Sequence, residues 1–374
     1  MKSTGSMNIR PDFNREVHCL LGLPFDAIDL TATVKNIKAA ASNRSPCFLS
    51  TPNLNFLIAS QSDIAFRDSV INSDLSIADG MPLVWIARLL GMPIRERVAG
   101  SDLFEQLRQD TTSHLSVYFF GGMVGVAEKA CQKINAMPSG MSCAGFEAPG
   151  FASIQDMSSQ ETLDKINASG ADFLVVSLGA KKGQAWIEHN REQISVPVLS
   201  HLGAVVNFVA GNLERAPVWI RRSGLEWLWR IKEEPGLWRR YTSDGLVLMR
   251  LLFTRVLPYA WYMFWHRPAE QKLDTAIIEL FDDGGVLTIR LQGAWVHGKL
   301  KPLRECFSSH ALTGRDILID LERVTYVDSA FIGLLLLLYA DLKQHEKSLS
   351  FGKMEKNVKQ VFQYVCANFL LEMH

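Results

Sequence analysis

The sequence predicts an α/β protein in which a Rossmann-like, mostly parallel sheet domain with a helical C-terminal appendage precedes a small α/β domain. Through about residue 245, short apolar runs alternate with helix-like segments, the pattern of a mostly parallel sheet. A stretch rich in tryptophan and arginine closes this region. After about residue 272, apolar runs flank the turn 282–285 and indicate a β-hairpin. A chain of 374 residues is long enough for two such domains.

Four apolar runs of the first domain end in small or polar residues. The runs and their ends are 48–50 before Thr51-Pro52-Asn53, 75–78 before Asp79-Gly80, 117–120 before Gly121-Gly122, and 173–177 before Leu178-Gly179. Ligands of open α/β sheets bind in the crevice outside the carboxyl ends of the strands. The sequence therefore predicts a nucleotide or nucleotide-sugar site with a single carboxylate for the chemistry.

The helices of the first domain follow these strands. Asp26 is predicted to cap a helix that continues to about Ala41, and Pro82 suits the first turn of a helix through Leu90. The further strand–helix units are predicted at 115–120 with 124–136, at 172–177 with 184–193, and at 197–199 with a helix from Ala204.

Composition excludes some classes of protein. The chain is 48% hydrophobic and formally neutral, so it is predicted to be globular, with no overall attraction to nucleic acid. Six cysteines lack CxxC or His/Cys metal-ligand spacing and are expected to be reduced core residues. Residues 1–7 are interpreted as a leader outside the fold.

The segment 246–265 is long and apolar, but Arg250, Arg255 and Pro258 interrupt it. Many tryptophans and arginines precede it, a composition that suits the headgroup layer of an anionic membrane. The sequence therefore favours membrane-surface contact over a transmembrane span. The alternative is a helical hairpin that packs its tryptophans on the sheet. Residues 266–272 are interpreted as a linker.

Asp79 follows a strand end and is predicted to be the general base that deprotonates an acceptor hydroxyl. Inverting sugar transfer needs only one such carboxylate, whereas the alternative role for Asp79 is to cap the next helix. The first domain has no DxD motif, so glycine-turn N–H groups or arginines are expected to balance a leaving diphosphate. No GxGxxG motif with a downstream acidic residue follows the first strand, which excludes a dehydrogenase.

Several motifs of the region 16–245 resemble the successive blocks of the WecG/TagA/CpsF glycosyltransferases. They are Thr51-Pro52-Asn53, Ala78-Asp79-Gly80, 96–102, Phe120-Gly121-Gly122, 177–180, Ala210-Gly211, Arg215-Ala216-Pro217 and 225–230. The resemblance implies metal-independent, inverting transfer of a hexose or N-acetylhexosamine from a UDP-sugar to a polyprenyl-diphosphate-linked saccharide. It also implies bacterial surface or exopolysaccharide synthesis at the inner face of the cytoplasmic membrane, with no cofactor besides the donor substrate.

The resemblance assigns residues as well. Asp79 matches the proposed base of the family, Thr51 and Asn53 its donor-side polar pair, and the arginines near 230–240 its basic appendage. The predicted substrate-binding residues are Thr51, Asn53, Arg97, Asp102, Gly121, Gly122, Gly179, Lys182, Gln184, Arg230, Arg239 and Arg240.

One motif departs from the family. The usual Pro-Lys-Gln-Glu is replaced by residues 181–184, so that Gly183 stands at the glutamine position. Either Gln184 takes over the polar role, or Lys181 and Lys182 contribute charge to the diphosphate.

The region 272–374 resembles a STAS domain, through the strand 317–324 and Tyr326-Val327-Asp328-Ser329-Ala330. Ser329 matches the serine that kinases phosphorylate in many STAS domains, although Ala330 and Phe331 replace the next two residues of the usual motif. The alternative is that Asp328 and Ser329 only cap the following helix, in which Leu334 to Leu338 form a buried face.

The predicted organisation is a glycosyltransferase domain at 16–245 with an appendage at about 217–245, an apolar membrane-surface segment and linker at 246–271, and a STAS domain at 272–374. Each domain is expected to fold alone. The expected partners are the UDP-sugar, the lipid-linked acceptor, an anionic membrane surface and a protein that binds the STAS domain; a homo-oligomer is left open. The competing hypothesis is a non-catalytic nucleotide-sugar sensor that signals through the STAS domain.

Overall fold

A computed structural model describes residues 11–137, 139–150, 152–267, 276–310 and 314–372. Within these residues the chain forms a two-stranded hairpin, a six-stranded sheet and a four-stranded sheet. Residues 1–7, interpreted as a leader, and residues 268–272 of the predicted linker lie outside the described residues.

Strands and helices alternate through the first region, as predicted. The strands are β1 (Val17–Leu20), β2 (Leu23–Asp26), β3 (Cys47–Ser50), β4 (Leu75–Ser76), β5 (Leu115–Gly121), β6 (Met141–Glu147), β7 (Phe173–Ser177) and β8 (Val198–His201). The helices are α1 (Leu30–Asn43), α2 (Leu54–Ala59), α3 (Ile64–Ile71), α4 (Met81–Leu89), α5 (Gly100–Gln109), α6 (Val126–Ala136), α7 (Gln160–Ala168), α8 (Ala180–Asn190) and α9 (Val205–Ala210).

The six-stranded sheet has the order β4-β3-β8-β7-β5-β6, and all its strands are parallel. Apolar cores cover both faces, as a parallel sheet requires. On one face Phe120 stacks on Trp186 with ring centroids 4.2 Å apart. The predicted α/β class and the predominantly parallel sheet are confirmed.

Two local predictions were wrong. Asp26 does not cap a helix: it ends β2, pairs with Arg15 at 2.7 Å, and accepts a hydrogen bond from the Ser76 backbone. Asp29 caps α1 instead, with its carboxylate accepting from Ala32 N. The helix predicted at 184–193 begins earlier, at Ala180, so the departing motif 181–184 lies within α8.

The predicted appendage and the apolar segment after it are both helical, and together they are called the appendage from here on. The elements are α10 (Val218–Arg222), α11 (Glu226–Glu233), α12 (Trp238–Leu251), a π-helical turn (Leu252–Val256) and α13 (Leu257–His266). In the described part of the chain, every helix is too short or too polar to cross a membrane.

The C-terminal region forms a mixed sheet with helices. Its elements are β9 (Ile277–Asp282), β10 (Val286–Trp295), α14 (Lys301–His310), β11 (Asp316–Val327), α15 (Ser329–Gln344), β12 (Leu349–Met354) and α16 (Lys356–Tyr364). The predicted hairpin is the antiparallel pair β9–β10, whereas β10 and β12 flank β11 in parallel. The small α/β domain predicted from the sequence is confirmed.

Helix α15 joins the two regions. All residues from Ser329 to Leu342 are buried, so the five leucines form part of a helix that is covered on every side. A Cβ atom at Gly333 would lie within 3.0 Å of the Val17 backbone, which shows how closely α15 approaches β1. One continuous apolar core therefore contains residues of the hairpin, the appendage and the C-terminal region.

The expectation that all six cysteines are reduced was wrong for one pair. Cys131 on α6 and Cys143 on β6 form a disulfide, with Cα atoms 5.1 Å apart. Because neither cysteine belongs to a CxxC motif, their pairing depends on the packing of α6 against β6. Within the described residues, Cys19, Cys47, Cys306 and Cys366 are not part of a disulfide.

Candidate active site

A cavity of about 560 Å³ opens at the carboxyl edge of the six-stranded sheet, in the size range of small-molecule sites. The strand ends predicted to converge do so here. The predicted site residues that line the cavity are Thr51, Asn53, Asp79, Gly122, Gly179, Lys182, Arg230 and Arg240.

Asp79 lies in the loop between β4 and α4, where its carboxylate faces the cavity. Burial raises the pKa of this carboxyl from 3.8 to about 7; Arg97 opposes the shift, and Glu226 adds to it. Gly80 is the cap residue of α4, so the helix-capping alternative for Asp79 does not hold. A carboxyl group with a pKa near neutrality is suited to accept a proton from a substrate.

Thr51 and Asn53 follow β3, beside Asp79. The Asn53 side-chain oxygen accepts hydrogen bonds from Asn55 N at 3.0 Å and Phe56 N at 3.2 Å, which caps α2. These two bonds fix the orientation of the amide, which also carries an NH2 donor group, and Asn53 lines the cavity.

The glycine turns lie on the other side of the cavity. Gly121 has φ +94°, and a side chain there would meet Ser177 and Leu178. The Gly122 N–H is already donated to Ser177 O at 2.8 Å, so it is not free to bind a diphosphate. Gly179, with φ +82°, is the cap residue of α8, and both Gly179 and Ala180 line the cavity. The first N–H groups of a helix have no partner within the helix.

The three side chains proposed to compensate for the altered motif have different positions. Lys182 lines the cavity and donates to Ala152 O at 2.8 Å. Gln184 is fully buried beneath the sheet edge, where it donates to Ser50 Oγ at 2.8 Å, and it does not line the cavity. Lys181 pairs with Asp63 at 2.8 Å on the surface. Of the three, only Lys182 is placed to contact a substrate.

The appendage covers the cavity from one side. Glu226, Arg230 and Glu234 of α11 and its following turn line it, as do Arg240 and Tyr241 of α12. Arg230 also pairs with Glu234 at 3.0 Å. Arg239 is exposed, lies over the Trp238 ring and does not line the cavity.

Arg97 and Asp102 form an ion-pair network beside the cavity. Arg97 contacts Asp102 at 2.8 Å and also Glu226 on α11. Asp102 in turn pairs with Arg215 and Arg221. Because neither Arg97 nor Asp102 lines the cavity, the structure gives them the role of tying the appendage to α5.

His201 is a cavity residue that the sequence analysis did not single out. It is the last residue of β8, and its side chain is 8% exposed. Burial lowers its pKa to about 4, so the imidazole is neutral. The signal that could have found it is the one used for the other strands, namely a polar residue at the end of an apolar run.

Ser329 lies far along the chain, in the interface between the two regions. It is buried at the start of α15, with its hydroxyl 3.0 Å from His18 Nδ1. Asp328 caps the helix by accepting from Ala330 N and Phe331 N. A kinase could reach Ser329 only after the interface has opened.

Among the described residues, no group of three or more His, Cys, Asp or Glu side chains is arranged to hold a metal ion. The cavity nevertheless contains several cationic groups that could face a diphosphate, namely Lys182, Arg230 and Arg240.

Curated relatives cover the first region. The chain is 27% identical over 223 residues to an N-acetylglucosaminyldiphosphoundecaprenol N-acetyl-β-D-mannosaminyltransferase of Bacillus spizizenii, an alignment that covers 59% of this chain and 85% of that protein. It is 25% identical over 214 residues to the Staphylococcus aureus protein of the same name, with 56% and 82% covered.

Family models match both regions. The model described as "Mlab, STAS domain" matches residues 280–372, which confirms the STAS resemblance of the C-terminal region. The model of the glycosyl transferase WecG/TagA/CpsF family matches residues 18–260, more than half of the chain. The chain thus belongs to the WecG/TagA/CpsF family of glycosyltransferases, and carries a STAS domain after its transferase region.

Proposed function

We propose that this protein transfers an N-acetylhexosamine or hexose, with inversion, from a UDP-sugar to a saccharide linked to a polyprenyl diphosphate, in bacterial surface or exopolysaccharide synthesis. The observation that carries the proposal is the position of Asp79, whose carboxyl group lines the cavity and has a raised pKa. The names of the relatives support N-acetylmannosamine as the first sugar to test.

In this mechanism Asp79 takes the proton from the acceptor hydroxyl as its oxygen attacks the anomeric carbon of the donor. A new glycosidic bond forms, the bond to the UDP oxygen breaks, and UDP leaves from the opposite face. One carboxylate is enough, because the attack is direct and leaves no glycosyl-enzyme intermediate.

The leaving diphosphate needs positive charge. The first turn of α8 offers backbone N–H groups and the positive end of the helix dipole, and Lys182 stands beside them. Arg230 and Arg240 reach the same cavity from the appendage. These groups support a metal-independent reaction, in which activity persists in chelator.

The lipid-linked acceptor places the reaction at a membrane surface. Exposed aromatic side chains of α12 and α13 lie beyond the cavity, with Arg250 and Arg255 among them. We infer peripheral attachment of the appendage to the inner face of the cytoplasmic membrane.

The STAS domain is proposed to act through its contact with the transferase region. Arg304 of α14 donates to the backbone oxygens of Phe13 and Arg15, and Arg15 in turn pairs with Asp26. The Asp26 carboxylate accepts a hydrogen bond from Ser76 N in β4, the strand that precedes Asp79. A protein that displaced the STAS domain would therefore disturb the strand that positions the base.

The test of catalysis is Asp79→Asn, assayed with UDP-N-acetylmannosamine and a short-chain polyprenyl-diphosphate-linked N-acetylglucosamine. Transfer should fall roughly 10²–10⁴-fold, the range for loss of a general base, with donor binding retained. Wild-type transfer should rise with pH through about 7, where Asp79 ionises. EDTA should leave the wild-type rate unchanged. Asp164→Asn, on the exposed face of α7, is the control for Asp79→Asn.

Stability gives an independent readout. Because the folded pKa of Asp79 lies above the unfolded value, its contribution to stability is full below about pH 4 and is lost as the pH rises through about 7. Asp79→Asn should therefore raise the melting temperature more at pH 8 than at pH 5.

Native transfer rates in Asp79→Asn would contradict the base assignment. Donor binding without transfer by the wild type would favour the non-catalytic sensor.

A further inference from the structure

The feature of interest is the paired placement of His201 and Gly183. His201 ends β8 in the middle of the six-stranded sheet, between β3 and β7. Its Nε2 atom is buried and has no hydrogen-bond partner among the described residues, although the side chain lines the cavity. A buried polar atom without a partner is uncommon and is usually satisfied by water or a ligand.

The chain makes room for this imidazole. A Cβ atom at Gly183 would lie well within 3.0 Å of His201 Cδ2, and one at Gly203 would lie 3.1 Å from Nε2. Glycine is unfavourable in a helix such as α8, so its presence at 183 needs a packing reason. The glutamine of the family motif could not coexist at 183 with the ring of His201.

The order of the strands shows which part of a donor would meet this ring. Across the cavity edge come Asp79 after β4, Thr51 and Asn53 after β3, His201 on β8, and Gly179 after β7. Neighbouring strands lie about 4.8 Å apart, so His201 stands about 10 Å from the strand of the base. If the diphosphate lies at the start of α8 and the reacting carbon near Asp79, the sugar ring lies between them.

We propose that His201 is a specificity-determining residue that hydrogen-bonds the transferred sugar, in the place where the family motif supplies a glutamine from position 183. This inference rests on the proposed function. A neutral imidazole offers one donor and one acceptor, which suits a sugar hydroxyl or an acetamido group better than a phosphate. His201 thereby compensates for the altered motif at 181–184, a role that Gln184 is too buried to fill.

The test compares sugar-dependent with nucleotide-dependent binding in the full chain. Calorimetry measures the affinities for UDP-N-acetylmannosamine and for UDP alone. In His201→Ala the affinity for the UDP-sugar should fall about tenfold or more, whereas that for UDP should change less than about twofold, because UDP lacks the sugar. Where wild-type transfer is measurable, the donor KM should rise more than kcat falls. His189→Gln, an exposed histidine of α8, is the control.

A reciprocal exchange guards against a purely structural effect. Gly183→Gln alone should weaken UDP-sugar binding, because its side chain meets the His201 ring. The double variant Gly183→Gln with His201→Gly should recover sugar-dependent affinity above that of either single variant.

Equal losses of UDP and UDP-sugar affinity in His201→Ala, or no recovery in the double variant, would overturn the assignment. So would a wild-type protein that binds UDP-sugar no more tightly than UDP. Failure of transfer with intact sugar-dependent binding would instead count against the proposed function alone.

Discussion

Two apolar helical stretches of the chain are buried to very different extents. In α15 all fourteen residues from Ser329 to Leu342 are covered by the transferase region and the C-terminal sheet. In α12, the π-helical turn and α13, one face is buried through Val256, Tyr259 and Tyr262, whereas Phe253, Leu257 and Trp261 on the opposite face are exposed. Apolar content alone does not distinguish the two stretches. What distinguishes them is the helical spacing of the exposed residues in the appendage and the arginines among those residues.

The two helical stretches differ in what covers their apolar faces. Other parts of the same chain cover α15. Lys343 pairs with Asp68 of α3 at 2.5 Å, and Tyr339 donates a hydrogen bond to the same carboxylate. The appendage face has no such covering among the described residues, and its exposed side chains are large and contiguous along the helix. We therefore expect substitutions in α15 to affect folding, and substitutions on the exposed face of the appendage to affect membrane attachment.

The largest effect should come from removing the STAS domain. A chain that ends at Arg267 would uncover the faces of β1, β2 and α3 that pack on α15. Although the sequence alone suggests two independent domains, the shared core predicts that this fragment loses cooperative unfolding and transfer together. Calorimetric unfolding and the transfer assay measure both. A soluble fragment with a single sharp transition and native activity would show that the interface is dispensable.

A single residue tests the same interface. Gly333→Leu should destabilise the protein by about 3 kcal/mol, because the new side chain meets the backbone of β1, which cannot move aside. Helix propensity alone predicts the opposite sign, since leucine is a better helix former than glycine. Gly285→Leu, at a turn with open space around it, is the matched control. A raised melting temperature for Gly333→Leu would show that α15 is not held against β1.

These interfaces mark the limit of what the sequence could predict. The parallel sheet and the converging strand ends followed from local patterns, because each apolar run is followed by its own turn and helix. The hairpin β1–β2 was missed because each strand has only four residues and β2 contains Pro24. The docking of α15 depends on contacts between residues some 300 positions apart, such as His18 and Ser329, which no local pattern encodes.

For the candidate site, the sequence predicted which side chains lie near it better than what each side chain does there. Asp79 was found because it follows an apolar run, and the structure adds the burial that raises its pKa. Arg97 and Asp102 belong to a recognisable motif, yet neither side chain lines the cavity, and their ion pairs tie the appendage to α5. His201 also closes an apolar run, at the end of β8, but its proposed role depends on the space that Gly183 leaves for it.

The exposed appendage face should respond in membrane binding with little change in stability. Trp261 is 68% exposed and Phe264 78%, so replacing both with serine removes apolar area that only a membrane would bury. Burial of one such side chain contributes about 1.5–3 kcal/mol, so the partition coefficient on anionic vesicles should fall at least tenfold. Ile64→Ser, which removes a 63% exposed side chain outside the appendage, is the control. Unchanged vesicle binding with a lowered melting temperature would assign the aromatic face to protein packing.

The smallest effect should come from the appendage charges, and it separates two neighbouring arginines. Arg239→Gln and Arg240→Gln should each weaken binding to anionic vesicles by about 1 kcal/mol and reduce its salt dependence, since each removes one charge near the surface. Only Arg240 lines the cavity, so Arg240→Gln should also raise the donor KM, whereas Arg239→Gln should leave it unchanged. Lys35→Gln, an exposed charge on α1, is the control for both assays. Flotation with vesicles at several salt concentrations, paired with donor kinetics, measures the two effects. Identical behaviour of the two arginine variants in both assays would mean that the appendage presents one undivided basic surface, and that Arg240 has no separate role in the site.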